Sequence, residues 1–186
     1  MVLPIITYGN PALREECENI ASTYPGLQQL IDSMWETLRA ADGCGLAAPQ
    51  VNSSINLFIV NSRDTYLYLD DESRKAYFES DMGIKETFIN ARIAYYSEDE
   101  YWTDQEGCLS IPGISEAVDR AWKITIEYCN RDFQPCVKTY SGYTARVIQH
   151  EYDHILGKLY IDYVSGMRKQ LLKGKLKRIF NKKMKQ

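Results

Sequence analysis

The sequence contains no long hydrophobic run, and this absence excludes a membrane-spanning helix. Its longest apolar stretches, such as the one over residues 55–60, are far shorter than the ~18–20 residues that cross a bilayer. No apolar signal segment follows Met1, so we expect a cytoplasmic protein without membrane association. With 45% hydrophobic and 25% charged residues, the chain of 186 residues has the composition of a globular protein with one domain.

Cysteine and histidine are both scarce. The five cysteines include no C-x-x-C pair, and this odd number argues against a secreted disulfide framework. Only two histidines are present, His150 and His154, and they lie four residues apart. Histidine is the commonest metal ligand among the side chains, so this pair is the first candidate for a functional site.

Acidic residues are absent from the end of the chain. Residues 168–186 carry nine Lys or Arg and no Asp or Glu, whereas residues 1–167 carry 13 basic and 25 acidic side chains. A catalytic domain over 1–167 with a basic helical extension over 168–186 is therefore predicted. The extension is either a binding site for an anionic partner or the solvated face of a helix.

Hydrophobic periodicity predicts helices at both ends of the chain and strands in the middle, which is typical of the α+β class. Pro25 suits a first helical position, Gly157 suits a helix end, and Ser165 is a good helix cap. The predicted helices cover residues 25–41, 143–156 and 165 towards 184. The predicted strands cover residues 55–60, 88–96, 121–129 and 135–140.

Two segments lack a clear period. Residues 61–86 are polar and are predicted to form an irregular surface insertion, and residues 106–113 are predicted to be rich in turns.

The last helix is predicted to bury an apolar stripe along one side. The stripe consists of Met167, Leu171, Ile179 and Phe180.

The two histidines belong to the pattern His-Glu-x-x-His within a predicted helix. Positions i and i+4 share one face of a helix, so both imidazoles can bind one metal ion. Glu151 is the adjacent group that can accept a proton from a water at that ion. Two surface histidines would be the alternative, but the pattern contains every histidine of the chain.

A catalytic site of this kind needs a third protein ligand. Tyr160 occupies the position where some enzymes with this pattern have a third histidine, and the only acid after His154 is Asp162, a weak candidate. A cysteine upstream is the better candidate. Cys108 and Cys44 both lie in segments rich in glycine, and the residues alone favour Cys108 without deciding between them.

Three segments together resemble the peptide deformylase family. Residues 43–50 (GCGLAAPQ) are similar to its G-φ-G-φ-A-A-x-Q motif, in which φ is an apolar residue. Residues 106–110 (EGCLS) are similar to its E-G-C-L-S motif, in the form typical of bacterial type-1 members. Residues 149–154 (QHEYDH) are similar to its Q-H-E-x-D-H motif. The motifs also occur in the family's order, and the likeness covers about residues 3–165.

The resemblance implies a fold and an activity. The fold would consist of largely antiparallel strands around a central helix that carries the His-Glu-x-x-His pattern, with a C-terminal helix. The activity would be removal of the formyl group from the initiator methionine of new polypeptides, with release of formate. Cys108, His150 and His154 would bind one divalent metal ion. The family commonly uses iron(II) in cells, and zinc, nickel or cobalt also suit such a site.

The resemblance also assigns roles to residues that hold the substrate. Glu151 would act as the general base, and the Gln50 amide and the Leu109 backbone N–H would stabilise the negative charge that develops on the formyl oxygen. The pocket for the methionine side chain has five candidate residues: Gly43, Cys44, Gly45, Leu109 and Val147. Arg120 and Arg146 receive no role.

The sequence departs from the family's pattern in two places. Cys44 stands where Ile or Val is usual, and the insertion over 61–86 is longer than in short members. Both changes affect what can be expected of the substrate cleft.

Two alternative functions compete with that of a peptide deformylase, and the resemblance also implies a binding partner. A metalloendopeptidase would need the missing third His or Glu, and a catalytically silent, ribosome-associated metal-binding protein would lack Glu151 or Gln50, which are present. In bacterial relatives a basic C-terminal helix docks on the ribosome. The resemblance therefore implies that residues 168–186 bind ribosomal RNA.

Overall fold

The apolar run over residues 57–60 lies at the centre of the fold, because helices cover both of its faces. The computed structural model describes residues 1–79 and 81–183. Within strand β2 (Leu57–Asn61), Leu57 and Ile59 pack with helix α1 (Leu27–Ala40), while Phe58 and Val60 pack with helix α4 (Gly142–Ile155). Alternate side chains of a strand point to opposite faces, so a continuous apolar run fits a strand covered on both sides.

Five strands form one antiparallel sheet in the order β1-β2-β3-β6-β7. Besides β2, its members are β1 (Gly45–Ala47), β3 (Lys85–Tyr96), β6 (Lys123–Cys129) and β7 (Pro135–Ser141). The strands predicted from the sequence are confirmed in type, and their ends are shifted by a few residues. The short strand β1 was not predicted.

A second, two-stranded sheet corrects the prediction of a turn-rich segment over residues 106–113. Strands β4 (Tyr101–Cys108) and β5 (Ile111–Ala121) form an antiparallel hairpin in which Cys108 pairs with Ile111. The hairpin was missed because three of its buried side chains are charged, which removes the usual alternation of apolar and polar residues. These buried side chains are Glu106, Glu116 and Arg120.

The insertion over residues 61–86 was predicted to be irregular, and this prediction is wrong, because the insertion contains two short helices. These are α2 (Arg63–Tyr68) and α3 (Asp71–Tyr77). The Asp70 side chain caps α3 by accepting a hydrogen bond of 2.8 Å from the Ser73 backbone N–H. Helices of six and seven residues are too short for a hydrophobic period to be visible in the sequence.

Helix α4 contacts both sheets and is buried along most of its length. Ala145, Val147, Ile148 and Ile155 join the core of the five-stranded sheet. Gly157 follows the helix with φ of 68°, and its N–H donates to the His154 carbonyl at 3.1 Å. The predicted helix end is therefore confirmed, since glycine adopts this backbone conformation without strain.

Helix α5 (Gly166–Lys183) confirms the predicted C-terminal helix, but its predicted apolar stripe is confirmed only in part. Met167 and Leu171 are exposed, whereas Leu172 is buried and Leu176 and Ile179 pack beside it. The predicted helix end near Met184 lies outside the described residues. Ser165 precedes the helix, and its hydroxyl accepts a hydrogen bond of 3.4 Å from the Arg168 N–H, as the predicted cap requires.

Helix α1 begins two residues later than predicted. Gly26, with φ of 72°, precedes Leu27, so Pro25 lies outside the helix.

The architecture is α+β, with antiparallel sheets and a C-terminal helix, as the sequence predicts. No helix among the described residues is both long and apolar enough to cross a membrane.

Candidate metal centre and active-site cleft

Helix α4 and the β4–β5 hairpin bring together the three predicted metal ligands. His150 and His154 lie one turn apart, with ring centroids 5.2 Å from each other. Cys108 ends β4 at the tip of the hairpin, and its Sγ lies 3.2 Å from His154 Nε2. The possible ligand atoms of all three residues lie within 4.8 Å of one another, close enough to share one ion.

The other candidate ligands lie elsewhere. Asp162 pairs with Arg14 at 2.5 Å, and the Tyr160 hydroxyl donates to the Ile114 carbonyl at 3.0 Å. Cys44 lines the cleft beside this cluster but is not part of it. The geometry thus favours Cys108 over Cys44, the alternative that the residues alone left open.

The surroundings of the two histidines affect their protonation in opposite directions. His150 Nδ1 donates to Glu106 Oε2 at 3.0 Å, which leaves Nε2 as the ring nitrogen for a metal ion once its proton is lost. Burial lowers the pKa of His150, but hydrogen bonds to Cys108 and Glu106 outweigh it and raise the pKa well above its usual value. Burial, followed by the charge of His150, lowers the pKa of His154 well below its usual value, so that ring is neutral. A thiol sulfur and two imidazoles form a donor set for zinc or for a late first-row transition metal.

Glu151 lies next to this cluster with its carboxylate in the cleft. It is 3% exposed, and among the described residues its Oε2 is a buried polar atom without a hydrogen-bond partner. Burial raises the pKa of Glu151 to about 7. A carboxylate in this state can take up and release a proton near neutral pH.

Gly45 makes room for the Glu151 side chain. A Cβ atom at position 45 would lie 2.7 Å from both Cγ and Cδ of Glu151, a distance that real contacts do not show. The two glycines of the predicted pocket therefore differ in role, since Gly43 faces Leu38 and Leu109 instead of Glu151.

We expect Gly45→Ala to lower kcat by at least about tenfold without loss of bound metal, because the methyl group displaces the Glu151 carboxylate. Steady-state kinetics and metal analysis would measure both effects. Gly107→Ala is the control, since a Cβ there meets nothing closer than the Ile114 carbonyl oxygen at 3.7 Å. Normal kinetics of Gly45→Ala would show that the Glu151 side chain has space that the structure does not indicate.

Gln50 is fixed beside the cluster by hydrogen bonds at both ends of its amide. Its Oε1 accepts from the Ala47 N–H at 2.8 Å, and its Nε2 donates to Ser110 Oγ at 3.2 Å and lies 3.5 Å from Cys108 Sγ. Gln50 is 1% exposed, so a polar side chain is held in a fixed orientation next to the candidate ligands. Leu109 lies at the tip of the hairpin and lines the cleft from the same side.

The cleft has a volume of about 1610 Å³ and includes every residue predicted for the methionine pocket. Those residues are Gly43, Cys44, Gly45, Leu109 and Val147. Burial raises the pKa of the Cys44 thiol, and a hydrogen bond with Tyr143 opposes this effect. Tyr143 also lines the cleft but was not predicted. Its spacing from Val147 and Glu151, four residues in each step along α4, is the signal that could have found it.

A buried charged network surrounds Glu106 and explains the positions of Arg120 and Arg146, for which no role was predicted. Arg120 donates through Nε and Nη2 to the two Glu106 oxygens, each at 2.9 Å. Arg146 Nη1 donates to Glu106 Oε1 at 2.6 Å, and Arg120 Nη1 to Asp153 Oδ2 at 2.5 Å. Glu106 is thus held by two arginines while its other contact orients His150.

The network keeps Glu106 charged although it is buried. Burial alone would raise the pKa of Glu106, but hydrogen bonds from His150 and Arg120 and the Arg120 charge hold it well below its usual value. A buried carboxylate stays ionised only with such partners. No short motif connects Glu106 with Arg120 and Arg146 in the sequence, since the three residues come from β4, β5 and α4.

We expect Glu106→Gln to lower metal affinity by about 10–100-fold, because the hydrogen bond that orients His150 is weakened. The free energy of unfolding should fall by about 3–5 kcal/mol, since two buried arginines lose a charged partner. Chelator competition and denaturant unfolding would measure the two effects. Glu127→Gln, which affects only an exposed ion pair with Arg92, should change neither. Unchanged metal affinity in Glu106→Gln would contradict the orienting role.

Comparison with known proteins points to one family. The family described as "Polypeptide deformylase" matches residues 2–170. A peptide deformylase of Flavobacterium johnsoniae is 47% identical over 96% of this chain and 90% of its own length. One from Flavobacterium psychrophilum is 46% identical over 98% and 93%, respectively. The crystal structure of peptide deformylase from Ehrlichia chaffeensis has a TM-score of 0.84 and 27% identity, and the match covers 99% of both chains.

Proposed function

The chain belongs to the peptide deformylase family, whose members depend on a metal ion, and we propose that Cys108, His150 and His154 bind that ion here. The enzyme removes the N-formyl group from the methionine that begins newly made polypeptides and releases formate. The observation that carries the residue assignment is the approach of three ligand atoms to within 4.8 Å beside a buried, unpaired Glu151 oxygen.

The donor set limits which ion the site can hold. A divalent ion held by Cys108, His150 and His154 would lower the pKa of a bound water towards ~7 and would polarise a carbonyl oxygen. One thiolate with two imidazoles suits iron(II), zinc, nickel or cobalt. We propose iron(II) in cells, on the resemblance of the three motifs to those of the family.

The chain's own residues would divide the remaining chemistry among them. Glu151 accepts a proton from the water that attacks the formyl carbon, and it later delivers that proton to the departing amine. The Gln50 Nε2–H and the Leu109 backbone N–H donate to the formyl oxygen as negative charge develops on it. The Gln50 amide suits this role because hydrogen bonds with Ala47 and Ser110 already fix its orientation, so the side chain needs to move little when the substrate binds.

The pocket for the methionine side chain is proposed to consist of Gly43, Cys44, Gly45, Leu109 and Val147. All five line the cleft that contains Cys108 and Glu151. Val147 precedes Glu151 by one helical turn, so its side chain lies on the same face as the reacting groups.

Formate release from a formyl-Met peptide by anaerobically purified protein, with metal analysis of the same sample, tests the proposed site and ion. We expect formate in stoichiometric yield, close to one bound ion per chain, and no cleavage of internal peptide bonds. Zinc in place of iron would contradict the proposed ion alone. Cleavage of internal bonds would instead support the rival endopeptidase.

We propose that α5 binds ribosomal RNA and that the enzyme works in the cytoplasm. Leu172 is buried, and Arg168 Nε donates to Glu116 Oε2 at 2.6 Å, so the start of α5 packs on the body of the protein. The cations beyond Leu172 remain exposed, and they are Lys173, Lys175, Lys177 and Arg178. The side chains of Lys182, Lys183 and Lys185 lie outside the described residues.

The division of the chain at residue 167 into a catalytic body and a C-terminal extension remains a prediction.

We expect the double variant Lys173→Glu, Lys177→Glu to reduce co-sedimentation with ribosomes by at least about tenfold, because fewer phosphate contacts release fewer counterions. Turnover of small formyl-Met peptides should not change. Charge reversal is a better test than deletion of residues 168–186, since deletion also removes the buried Leu172. The double variant Lys75→Glu, Lys158→Glu carries the same charge change elsewhere. Equal loss in both pairs, or no loss in either, would contradict a specific role for α5.

A further inference from the structure

The insertion over residues 61–86 supplies one wall of the active-site cleft. Asp64, Thr65 and Tyr68 of helix α2 line the same cleft as Cys108 and Glu151. Tyr68 is 92% exposed, which is unusual for a large aromatic side chain that lines an enzyme cleft. Its ring therefore has almost no partner within the protein and is available to a molecule that enters the cleft.

The ends of the insertion are attached to the helix that carries the reacting groups. Ser62 Oγ lies 2.9 Å from Thr144 Oγ1, and Thr144 Oγ1 donates to Asp81 Oδ1 at 3.0 Å. Ser62 and Thr144 are both fully buried. Because Thr144 lies two turns before Glu151 on α4, the position of the insertion is fixed relative to the site.

Within the insertion, Arg74 of α3 fixes the end of α2 that carries Tyr68. Its Nε donates to the Tyr66 carbonyl at 2.7 Å and its Nη2 to the Leu67 carbonyl at 3.0 Å. These are terminal carbonyls that a helix cannot pair within itself. The guanidinium also lies over the Tyr66 ring, 5.0 Å from its centroid.

Aromatic contacts continue from α2 to α4. Tyr66 meets Phe78 edge to face with ring centroids 5.2 Å apart, and Phe78 lies 5.5 Å from Tyr143. Phe78 is 7% exposed, so this row is part of the packed interior. The backbone under Tyr68 is therefore well supported, while its side chain is free.

We propose that Tyr68 is a specificity-determining residue that packs against an apolar or aromatic side chain of the substrate, at the first or second residue after formyl-methionine. This inference rests on the proposed function. A substrate side chain is the molecule expected next to Tyr68, because helix α2 forms one wall of the same cleft that holds the formyl-methionine. The nearby carboxylate of Asp64 does not favour a cationic substrate residue, because it is already bonded to Asn61 at 2.7 Å and paired with Lys85 at 3.4 Å.

The test compares two formylated peptides, formyl-Met-Tyr-Tyr and formyl-Met-Ala-Ala, as substrates of the full-length protein. The wild type should prefer the tyrosine peptide in kcat/KM. Tyr68→Ala should lower the ratio of the two kcat/KM values about fivefold, mainly through KM of the tyrosine peptide, which is the scale of one aromatic contact. Tyr68→Phe should preserve the ratio, since the ring and not the hydroxyl makes the contact.

Tyr95→Ala is the matched control, because Tyr95 is an exposed tyrosine of β3 that does not line the cleft. It should leave the ratio at its wild-type value. A ratio unchanged in Tyr68→Ala, or changed equally in Tyr95→Ala, would overturn the proposal. Failure of the wild type to release formate from either peptide would instead overturn the proposed function.

Discussion

Glu151→Gln is expected to lower kcat by at least about 100-fold while leaving the bound metal in place. The amide has nearly the shape of the carboxylate, so the space next to Gly45 remains filled and the three ligands are undisturbed. It cannot accept the proton of the attacking water, because an amide is not a base at neutral pH. Stopped or continuous assays of formate release, together with metal analysis of the same sample, would measure both properties.

A surface variant with the same chemical change controls for this result. Glu98 is exposed and does not line the cleft, so Glu98→Gln should retain wild-type kinetics. Near-wild-type activity of Glu151→Gln would contradict the assignment of Glu151 as the base. Loss of metal together with activity would show that Glu151 supports the ligands rather than the proton transfer.

Cys108→Ala is expected to abolish both metal binding and activity, whereas Cys44→Ala should keep the metal and mainly change KM. The reason is geometric: Cys108 Sγ lies 3.2 Å from His154 Nε2, while Cys44 lines the cleft outside the ligand cluster. Two imidazoles without the thiolate leave a site with one strong ligand fewer. Metal analysis after dialysis and kinetics with a formyl-Met peptide would separate the two effects.

The pair of cysteine variants is its own control, since each removes one thiol from the same cleft. An empty site in Cys44→Ala together with a loaded site in Cys108→Ala would reverse the ligand assignment. Metal retained by both variants would mean that neither thiol is needed for binding.

The strands and helices that follow a clear hydrophobic period were predicted, and those that do not were missed. Residues 55–60 were predicted to form a buried strand because every residue of the run except Asn56 is apolar. The β4–β5 hairpin was missed because Glu106, Glu116 and Arg120 are buried on it. Their partners come from other elements, which no local pattern reveals. The stripe of α5 was confirmed at Ile179 but wrong at Met167 and Leu171, because packing on the body, rather than the period of the helix alone, selects Leu172 over Leu171.

The site was predicted as far as short motifs reach. The i,i+4 spacing of His150 and His154 is local, and the structure places Cys108 beside them. The partners of Glu106 were beyond reach, because Arg120 and Arg146 are 14 and 40 residues away in the chain. The α2 wall with Tyr68 was equally hidden, since the insertion shows no pattern in the sequence that relates it to the cleft.

The origin of the three ligand atoms has a consequence for the folded state as a whole. Cys108 belongs to the two-stranded sheet, while His150 and His154 belong to the helix packed on the five-stranded sheet. An ion bound by all three acts as a cross-link between parts of the chain that are distant in sequence, and it restricts the freedom that the unfolded chain would gain. Because only the folded state offers this set of donors, we expect the melting temperature to rise with the concentration of free metal.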